Sequence, residues 1–578
     1  MFDLKRFLSV ILSAVLVFSC VAVGFSALAQ DATTKFAVAS DLHYVVPDAE
    51  VEEEIPGEPL FWFANRRAQL ENESGFIIDE FLRQCAEDEK CEFVLIPGDL
   101  VNDGRIVVQQ HIDVAAKLKK FEQETGKQVF VINGNHDNGA GENDFKYDDF
   151  IETYYEFGYA EAIETVEGEC SYVADLNEDY RLIALDSCDP TKSTEDGMTT
   201  AKVNWVVAQA EKAYADGKYP ILMMHHNLLD HLPVQRILSR NFIIRNHLST
   251  ADKFANAGIK LVFTGHEHCS DAAVYTSTLG NKIYDFANTS LTMYPLTYKI
   301  FTVTDDEIKY ESKEINKIDT EALTSTVAGY PQEAVDMMNE DFNGVYAKAF
   351  LESGVKYRLT RDLTMEKIGI AEGEPFYNLV YTAVTGLTGP LEMPLYGEGG
   401  LQELAKEYNI DIPDSEYYNA WDVAMELVAA HYSGSEAYTL ESTEITIFLR
   451  TVAYILHSDL SAIADNTLLG GANMLLEKLG VEDGVMASIT KGISAALGGV
   501  STVEYFLLAL VSPLLIEFIA DDDGVDDNNG TLPGYGVTGT DVALGNIADR
   551  VKTFAETVIL YFTYIIKIIT NAFNALPF

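Results

Sequence analysis

Basic side chains are scarce in this chain. Lys and Arg together number 40 against 90 Asp and Glu, a formal net charge of −50 at pH 7 over 578 residues. A surface so negative repels a phosphate backbone and excludes nucleic-acid binding as the expected function. No segment repeats itself, so the length points to two or three domains rather than an array. A twelve-residue calcium loop is missing as well. The acidic run Asp521-Asp522-Asp523-Gly524-Val525-Asp526-Asp527-Asn528-Asn529-Gly530 lacks the loop's spacing of ligands around an obligatory sixth-position Gly and reads as a solvated loop. Long apolar runs are few: one lies near each end, and Tyr505 to Ala520, interrupted by Pro513 and Glu517, reads as a core helix. Residues 1–29 read as a signal peptide: Lys5 and Arg6 precede an apolar stretch, and Ala27-Leu28-Ala29 supplies small residues for cleavage before Gln30. A lipoprotein cut before Cys20 is the rival. The apolar segment from Glu556 to Phe578 is broken by Lys567, Asn571 and Asn574. It reads first as a buried or amphipathic helix, and second as a contact with the membrane. The expected location is therefore outside the cell or in its envelope.

Cysteines number six, and five remain after the predicted cleavage. Cys85 could pair with Cys91 across a short acidic turn, and Cys170 with Cys188 across a predicted hairpin, while Cys269 is expected to stay a free thiol.

From Lys35 to about Val303 short apolar strands alternate with helical stretches. Phe36 to Ser40, Glu92 to Pro97, Val129 to Asn133, Arg181 to Ser187, Pro220 to Met224 and Lys260 to Thr264 read as buried strands. Gly75 to Glu87, Val107 to Thr125, Thr200 to Gly217 and Thr250 to Ala257 read as helices, and the alternation predicts an α/β domain over 30–318. Beyond Asp319 strand signals nearly vanish, and 319–578 reads as a separate, mainly helical domain. Its predicted helices include Pro331 to Ser353, Phe376 to Leu387, Ser415 to Tyr432, Glu444 to His457, Leu468 to Leu479 and Thr502 to Ala520.

What is present in abundance is ligand chemistry at strand ends. Asp41-Leu42-His43, Gly98-Asp99, Gly134-Asn135-His136-Asp137, His225-His226 and Gly265-His266-Glu267-His268 follow one another, each after an apolar run. Asp41 and His43, and likewise His266 and His268, are two apart, so on an extended chain each pair projects to one side. Asp99 has two oxygens with which to bridge cations, and Asn135 offers an amide oxygen. The inventory suits two divalent metals sharing a carboxylate. Each run alone is weak; all of them in this order, at the carboxyl ends of strands where open α/β sheets place ligands, is specific.

In these motifs the chain resembles the calcineurin-like metallophosphoesterases over roughly residues 33 to 316. The resemblance implies a β-sandwich flanked by helices. It implies that Asp41, His43, Asp99 and His268 hold one metal and that Asp99, Asn135, His225 and His266 hold the other, with Asp99 as the bridge and His225 preferred to His226. His136 would bind no metal and would stand beside the substrate. The implied cofactors are two divalent ions, Mn, Fe, Zn or Co, about 3.5–4 Å apart. A hydroxide bridging them would attack phosphorus in line, and His136 would stabilise charge or protonate the leaving group, oriented by Asp103 or Asp137. Subfamily patterns narrow the class. Asn102 stands where purple acid phosphatases carry Tyr, Asn102-Asp103-Gly104-Arg105 is not the protein-phosphatase run, and Gly-Asn-His-Asp is not the nucleotidase run. The expectation is a phosphodiesterase acting on a small phosphate ester. A phosphomonoesterase, or a non-catalytic envelope protein on the same scaffold, are the alternatives. Phe61, Trp62, Phe63, Arg66 and Arg67 could line a substrate rim, and Tyr44 could neighbour the site, although packing roles come first for all of them.

Overall fold

The computed structural model describes residues 33–47, 68–191, 196–231, 235, 241–357, 388–408, 410–439, 442–460 and 524–536. The predicted signal peptide, Cys20, the aromatic and arginine residues from Phe61 to Arg67, the predicted helices at 376–387, 468–479 and 502–520, and the C-terminal apolar segment lie outside these residues.

Three parallel strands open the fold: β1 (Thr34–Val38), β2 (Phe93–Ile96) and β3 (Gln128–Val131). Each is short, and β1 and β2 are apolar throughout their paired stretch, as suits strands covered on both faces. Helices α1 (Ser74–Glu87) and α2 (Val108–Thr125) follow β1 and β2, burying Ile77, Ile78 and Phe81 from the first, Val114 and Leu118 from the second. Gly126, at φ +70°, ends α2 in the left-handed region that favours glycine. Helix α3 (Tyr147–Thr153) leads to a second sheet built from β4 (Ala162–Thr165), β5 (Tyr172–Asp175), β6 (Tyr180–Leu185), β7 (Tyr219–Met224), β8 (Leu261–His268), β9 (Asp271–Thr276) and β10 (Lys282–Thr289). Helices α4 (Thr200–Ala215) and α5 (His247–Asn256) cover its outer face with Val203, Val206, Ala210, Ala251 and Phe254. β11 (Thr297–Val303) and β12 (Glu307–Glu314) return to the first sheet.

With β13 (Asn529–Pro533) at one edge, the sheets are ordered β13-β12-β11-β1-β2-β3 and β4-β5-β6-β7-β8-β10-β9. Rings from the two inner faces interlock: Phe263 of β8 meets Phe301 of β11 at 4.8 Å between centroids, and Phe286 of β10 meets the same ring at 5.0 Å. The result is the expected α/β sandwich flanked by helices. The predicted hairpin around Cys170 and Cys188 is β5 paired antiparallel with β6. All five described cysteines are free thiols and buried, so neither considered bridge is formed.

Two features depart from the sequence reading. Strands β9 to β12 were not predicted as such: β12 alternates polar with apolar residues, and β9 to β11 mix polar residues into the run, so none carries the continuous apolar signature of the strands that were predicted. The acidic run is not simply a solvated loop. Val525 and Asp527 are buried, and Asn529–Pro533 forms β13, antiparallel to β12.

Among the described residues beyond β12, β13 is accompanied by helices α6 (Thr320–Thr326), α7 (Gln332–Glu340), α8 (Lys348–Tyr357), α9 (Thr388–Glu392), α10 (Leu401–Lys406), α11 (Ala420–Ser433) and α12 (Thr443–Leu460). Asn419 caps α11, its side chain accepting from the Asp422 N–H at 2.8 Å, and Gly434 closes the helix at φ +60°. Among the described residues no helix is long and apolar enough to cross a membrane.

Candidate metal centre

The carboxyl ends of β1, β2, β3, β7 and β8 open onto one place. The loops that leave them are joined by backbone hydrogen bonds: the N–H of Asp41 donates to the Gly98 carbonyl at 3.1 Å, that of His43 to the Asp99 carbonyl at 3.0 Å, and that of Gly265 to the His225 carbonyl at 3.0 Å. The two sheets meet where the Asp41 carboxylate accepts from the His266 N–H at 3.1 Å. Two glycines make this convergence possible. A Cβ on Gly134 would stand 2.1 Å from Asp99 Oδ1, and one on Gly265 would stand 2.1 Å from Asp41 Oδ2.

Three groups of donors result: Asp41, His43 and His268; His43, Asp99 and His136; and Asp99, His225 and His266, with ligand atoms in each group within 4.8 Å of one another. His43 Nε2 lies 3.1 Å from His268 Nε2, and His268 Nε2 lies 3.2 Å from Asp41 Oδ1. On the other side His225 Nε2 lies 2.9 Å from Asn135 Oδ1, 3.1 Å from His266 Nδ1 and 3.2 Å from Asp99 Oδ2. Donors bound at about 2.0–2.1 Å to a common tetrahedral ion stand about 3.3 Å apart, so these separations fit shared ions. Lone pairs aimed at one another in a buried space repel unless a cation lies among them.

Asp99 stands between the groups. Its Oδ1 accepts from the His136 N–H at 2.8 Å. Its Oδ2 is buried with no hydrogen-bond partner, 3.2 Å from His225 Nε2 and 3.7 Å from His43 Nε2. Burial alone would raise the Asp99 carboxyl, but the imidazoles of His225, His136 and His43 outweigh it and hold the group well below the usual carboxylate range. An anionic, unpartnered oxygen facing both clusters is the donor a bridging position requires.

Other contacts set tautomers. His225 Nδ1 donates to the Pro97 carbonyl at 3.0 Å, which turns Nε2 toward the cluster, where it would offer its lone pair to a bound ion. His226 turns the other way, its Nδ1 3.0 Å from Ser187 Oγ, so the structure places His225 in the cluster and His226 behind it. His136 Nδ1 donates to the Asn102 carbonyl at 2.6 Å, and its ring meets that of His43 edge-on at 4.9 Å. His136 is half-buried, which sets it apart from the enclosed His43 and His225 even though its ring is within ligand reach.

The residue that orients His136 is neither Asp103 nor Asp137. The carbonyl of Asn102 holds the ring. Asp137 is fully buried and spends its carboxylate on the N–H groups of Gly134 and Val101, at 2.7 and 3.2 Å. A main-chain carbonyl leaves no side-chain signature, which is why the sequence pointed to the neighbouring acids. Tyr44 turns away from the site to donate to Asp113 Oδ2 at 3.0 Å. Two residues at the site escaped the sequence reading. Arg105 donates through Nη2 to the Asn135 carbonyl at 2.8 Å, and Phe242 lies against His266 at 4.4 Å between rings. The position of Arg105 in the loop after Gly98-Asp99 was a usable signal; Phe242 had none.

The extended-chain argument for paired ligands is corrected by the backbone. Asp41, His43, Asp99, His266 and His268 all have positive φ, at 51°, 40°, 47°, 70° and 64°. Asp41 and His43 do reach one donor group, though from left-handed rather than extended backbone, while His266 goes to one donor group and His268 to another. Left-handed backbone at non-glycine residues costs about 1–3 kcal/mol each and persists where surrounding contacts over-determine it, commonly at functional sites.

Residues 34–270 match the family profile of the calcineurin-like phosphoesterases. These residues form a calcineurin-like phosphoesterase domain. The protein is accordingly a metal-dependent phosphoesterase, a hydrolase of phosphate esters. No curated protein matches the sequence. Solved structures similar to the phosphoesterase chain include a dimetal phosphatase from Danio rerio (10% identity, 49% of this chain and 96% of that one, TM-score 0.36) and PhoD (12%, 50% and 67%, 0.30). A predicted phosphoesterase from Streptococcus pneumoniae is a third (13%, 49% and 91%, 0.22).

Proposed function

We propose that this protein is an exported dinuclear-metal phosphodiesterase. Asp41, His43, Asp99 and His268 hold one divalent ion, Asp99, Asn135, His225 and His266 hold the second, and the observation that carries this is the unpartnered Asp99 Oδ2 between the two groups. When bound, such ions act as Lewis acids on phosphoryl oxygens and make a water nucleophilic near neutral pH. The chain's own residues do the rest. The donor atoms of Asp41, Asp99 and Asn135 fix the charge and position of the centre. Pro97 and Asn102, through their carbonyls, hold His225 and His136 with Nδ1 protonated. His136 Nε2 is then the ring nitrogen left for chemistry; carrying a proton, it donates to the departing alkoxide or to a phosphoryl oxygen as negative charge develops. Arg105 fixes the main chain between Asn135 and His136, so that ligand and acid keep one spacing.

The preference for diesters rests on the motif pattern, Gly-Asp-Leu with Gly-Asn-His-Asp and no tyrosine at position 102. Export rests on the leader-like residues 1–29 and on Ala27-Leu28-Ala29. Purified protein should bind two ions per chain, hydrolyse bis-nitrophenyl phosphate faster than mono-nitrophenyl phosphate, and appear outside the cytoplasm on cell fractionation. A faster monoester reaction would turn the reading to a phosphomonoesterase, and a single ion at saturation would remove the dinuclear mechanism.

A further inference from the structure

Ser270 and Ala272, just after His268, are held by Lys299 and by parts of the chain more than a hundred positions away. The Ser270 N–H donates to the Tyr432 carbonyl, in α11, at 3.0 Å. Ser270 Oγ receives a hydrogen bond from the buried Lys299 ammonium at 2.6 Å and lies 3.1 Å from Asn528 Oδ1. The Ala272 N–H donates to Asp527 Oδ1 at 2.8 Å. Asn528 in turn donates through Nδ2 to the carbonyls of Ser433 and Gly434, at 2.7 and 2.8 Å, and accepts from Ser312 Oγ at 2.8 Å. The fit is tight: a Cβ on Gly434 would stand 2.4 Å from the Ser270 carbonyl oxygen and 2.6 Å from Asp527 Cβ. One end of α11, the segment leading into β13, and β12 therefore close on the β8–β9 turn.

His268 needs such support. Its backbone is left-handed at φ 64°, and its ring is the one among the imidazoles of its donor group that is partly exposed, at 20%. His268 itself pairs with Thr289 in the β8–β10 ladder, and the contacts above hold the turn that follows it. Burial pushes the Lys299 ammonium down to about 8, and Asp527 heads the acids whose fields oppose that fall.

We infer that Asp527 and Asn528 are positioning residues for His268, so that the C-terminal region completes one of the two metal sites of the N-terminal domain. The inference rests on His268 being a ligand. Partners behind a metal ligand are commonly worth about 10–100-fold in metal affinity. In the full-length chain titrated with Co2+ and followed by its visible absorption, Asp527→Ala and Asn528→Ala should bind one ion as the wild type does and the second about tenfold or more weakly. Asp527→Asn keeps an acceptor for the Ala272 N–H and should recover most of that affinity. His268→Ala should lose the same ion, and adding Asp527→Ala to it should change nothing further. Tyr535→Phe, which removes a hydrogen bond to the Pro220 carbonyl elsewhere in the same segment, should leave both ions unchanged. Unaltered affinity for the second ion in the two Ala variants, equal weakening of both ions, or an equal effect of Tyr535→Phe would each overturn the inference. A wild-type chain that binds one ion would instead overturn the assignment of the centre.

Discussion

At the scale of single residues, the centre depends on where lone pairs point. Asp99 carries most, because one oxygen is spent on the His136 N–H and the other is left facing both donor groups. Asp99→Asn should bind neither ion at stoichiometric levels, a result that elemental analysis reads directly. His136→Ala removes a ring but no assigned ligand. It should keep both ions and lose about 10²–10⁴ in kcat, while a fully active variant would dismiss the acid role. Gly265→Ala tests the close approach of the loops. Its Cβ would displace the Asp41 carboxylate, so the ion near His43 and His268 should be lost, with about 1–3 kcal/mol of stability from overpacking.

At the scale of elements, α2 supports the site through one histidine. His111 lies fully buried, its Nε2 2.9 Å from the Asp137 carbonyl and its ring stacked on Phe145 at 4.0 Å. Burial pushes its pKa down to about 4, although the carbonyls of Asp137 and Gly104 resist. The folded state therefore prefers neutral His111, while the unfolded chain takes up a proton near the ordinary value of about 6.5. The stabilisation is whole above that pH and is lost as pH falls toward 4, up to about 3 kcal/mol. Denaturant midpoints measured between pH 7 and 4 should fall more steeply for the wild type than for His111→Gln. These elements were legible beforehand because continuous apolar strands and amphipathic helices announce themselves at short range. The left-handed ligand positions and the pairing of β9 to β13 were not, since both depend on contacts between distant segments.

At the scale of the whole molecule, the helical region is bound to the sandwich at more than one place. Glu73, buried at the start of α1, accepts from Tyr330 at 2.8 Å and Tyr346 at 2.7 Å. Burial raises its carboxyl, and these two hydroxyls oppose the rise. Tyr346→Phe should lower the unfolding free energy by about 1–3 kcal/mol, measured by chemical denaturation. β13 adds the ladder on β12, and Tyr535 stacks on Tyr219 at 4.7 Å. The division expected near residue 318 is therefore crossed by hydrogen bonds and packing. Removing metal with a chelator should abolish turnover and lower the thermal midpoint, and restored Mn, Zn or Co should return both; ions at 100 times their Kd add about 2.7 kcal/mol.

By itself the chain's order of residues determined the α/β alternation, the identity of the candidate ligands and the chemistry they suit. Those are local properties: strand periodicity, small glycines before acids, and imidazoles at strand ends all lie within a few residues of one another. Only the tertiary structure decided that Asn102 rather than an acid holds His136, that His226 faces Ser187, and that a segment beyond residue 520 reaches the turn after His268. A main-chain carbonyl has no residue type to advertise it, and a contact across more than 250 positions has no period to reveal it. Such contacts exist when the sheets close and bring their ends together.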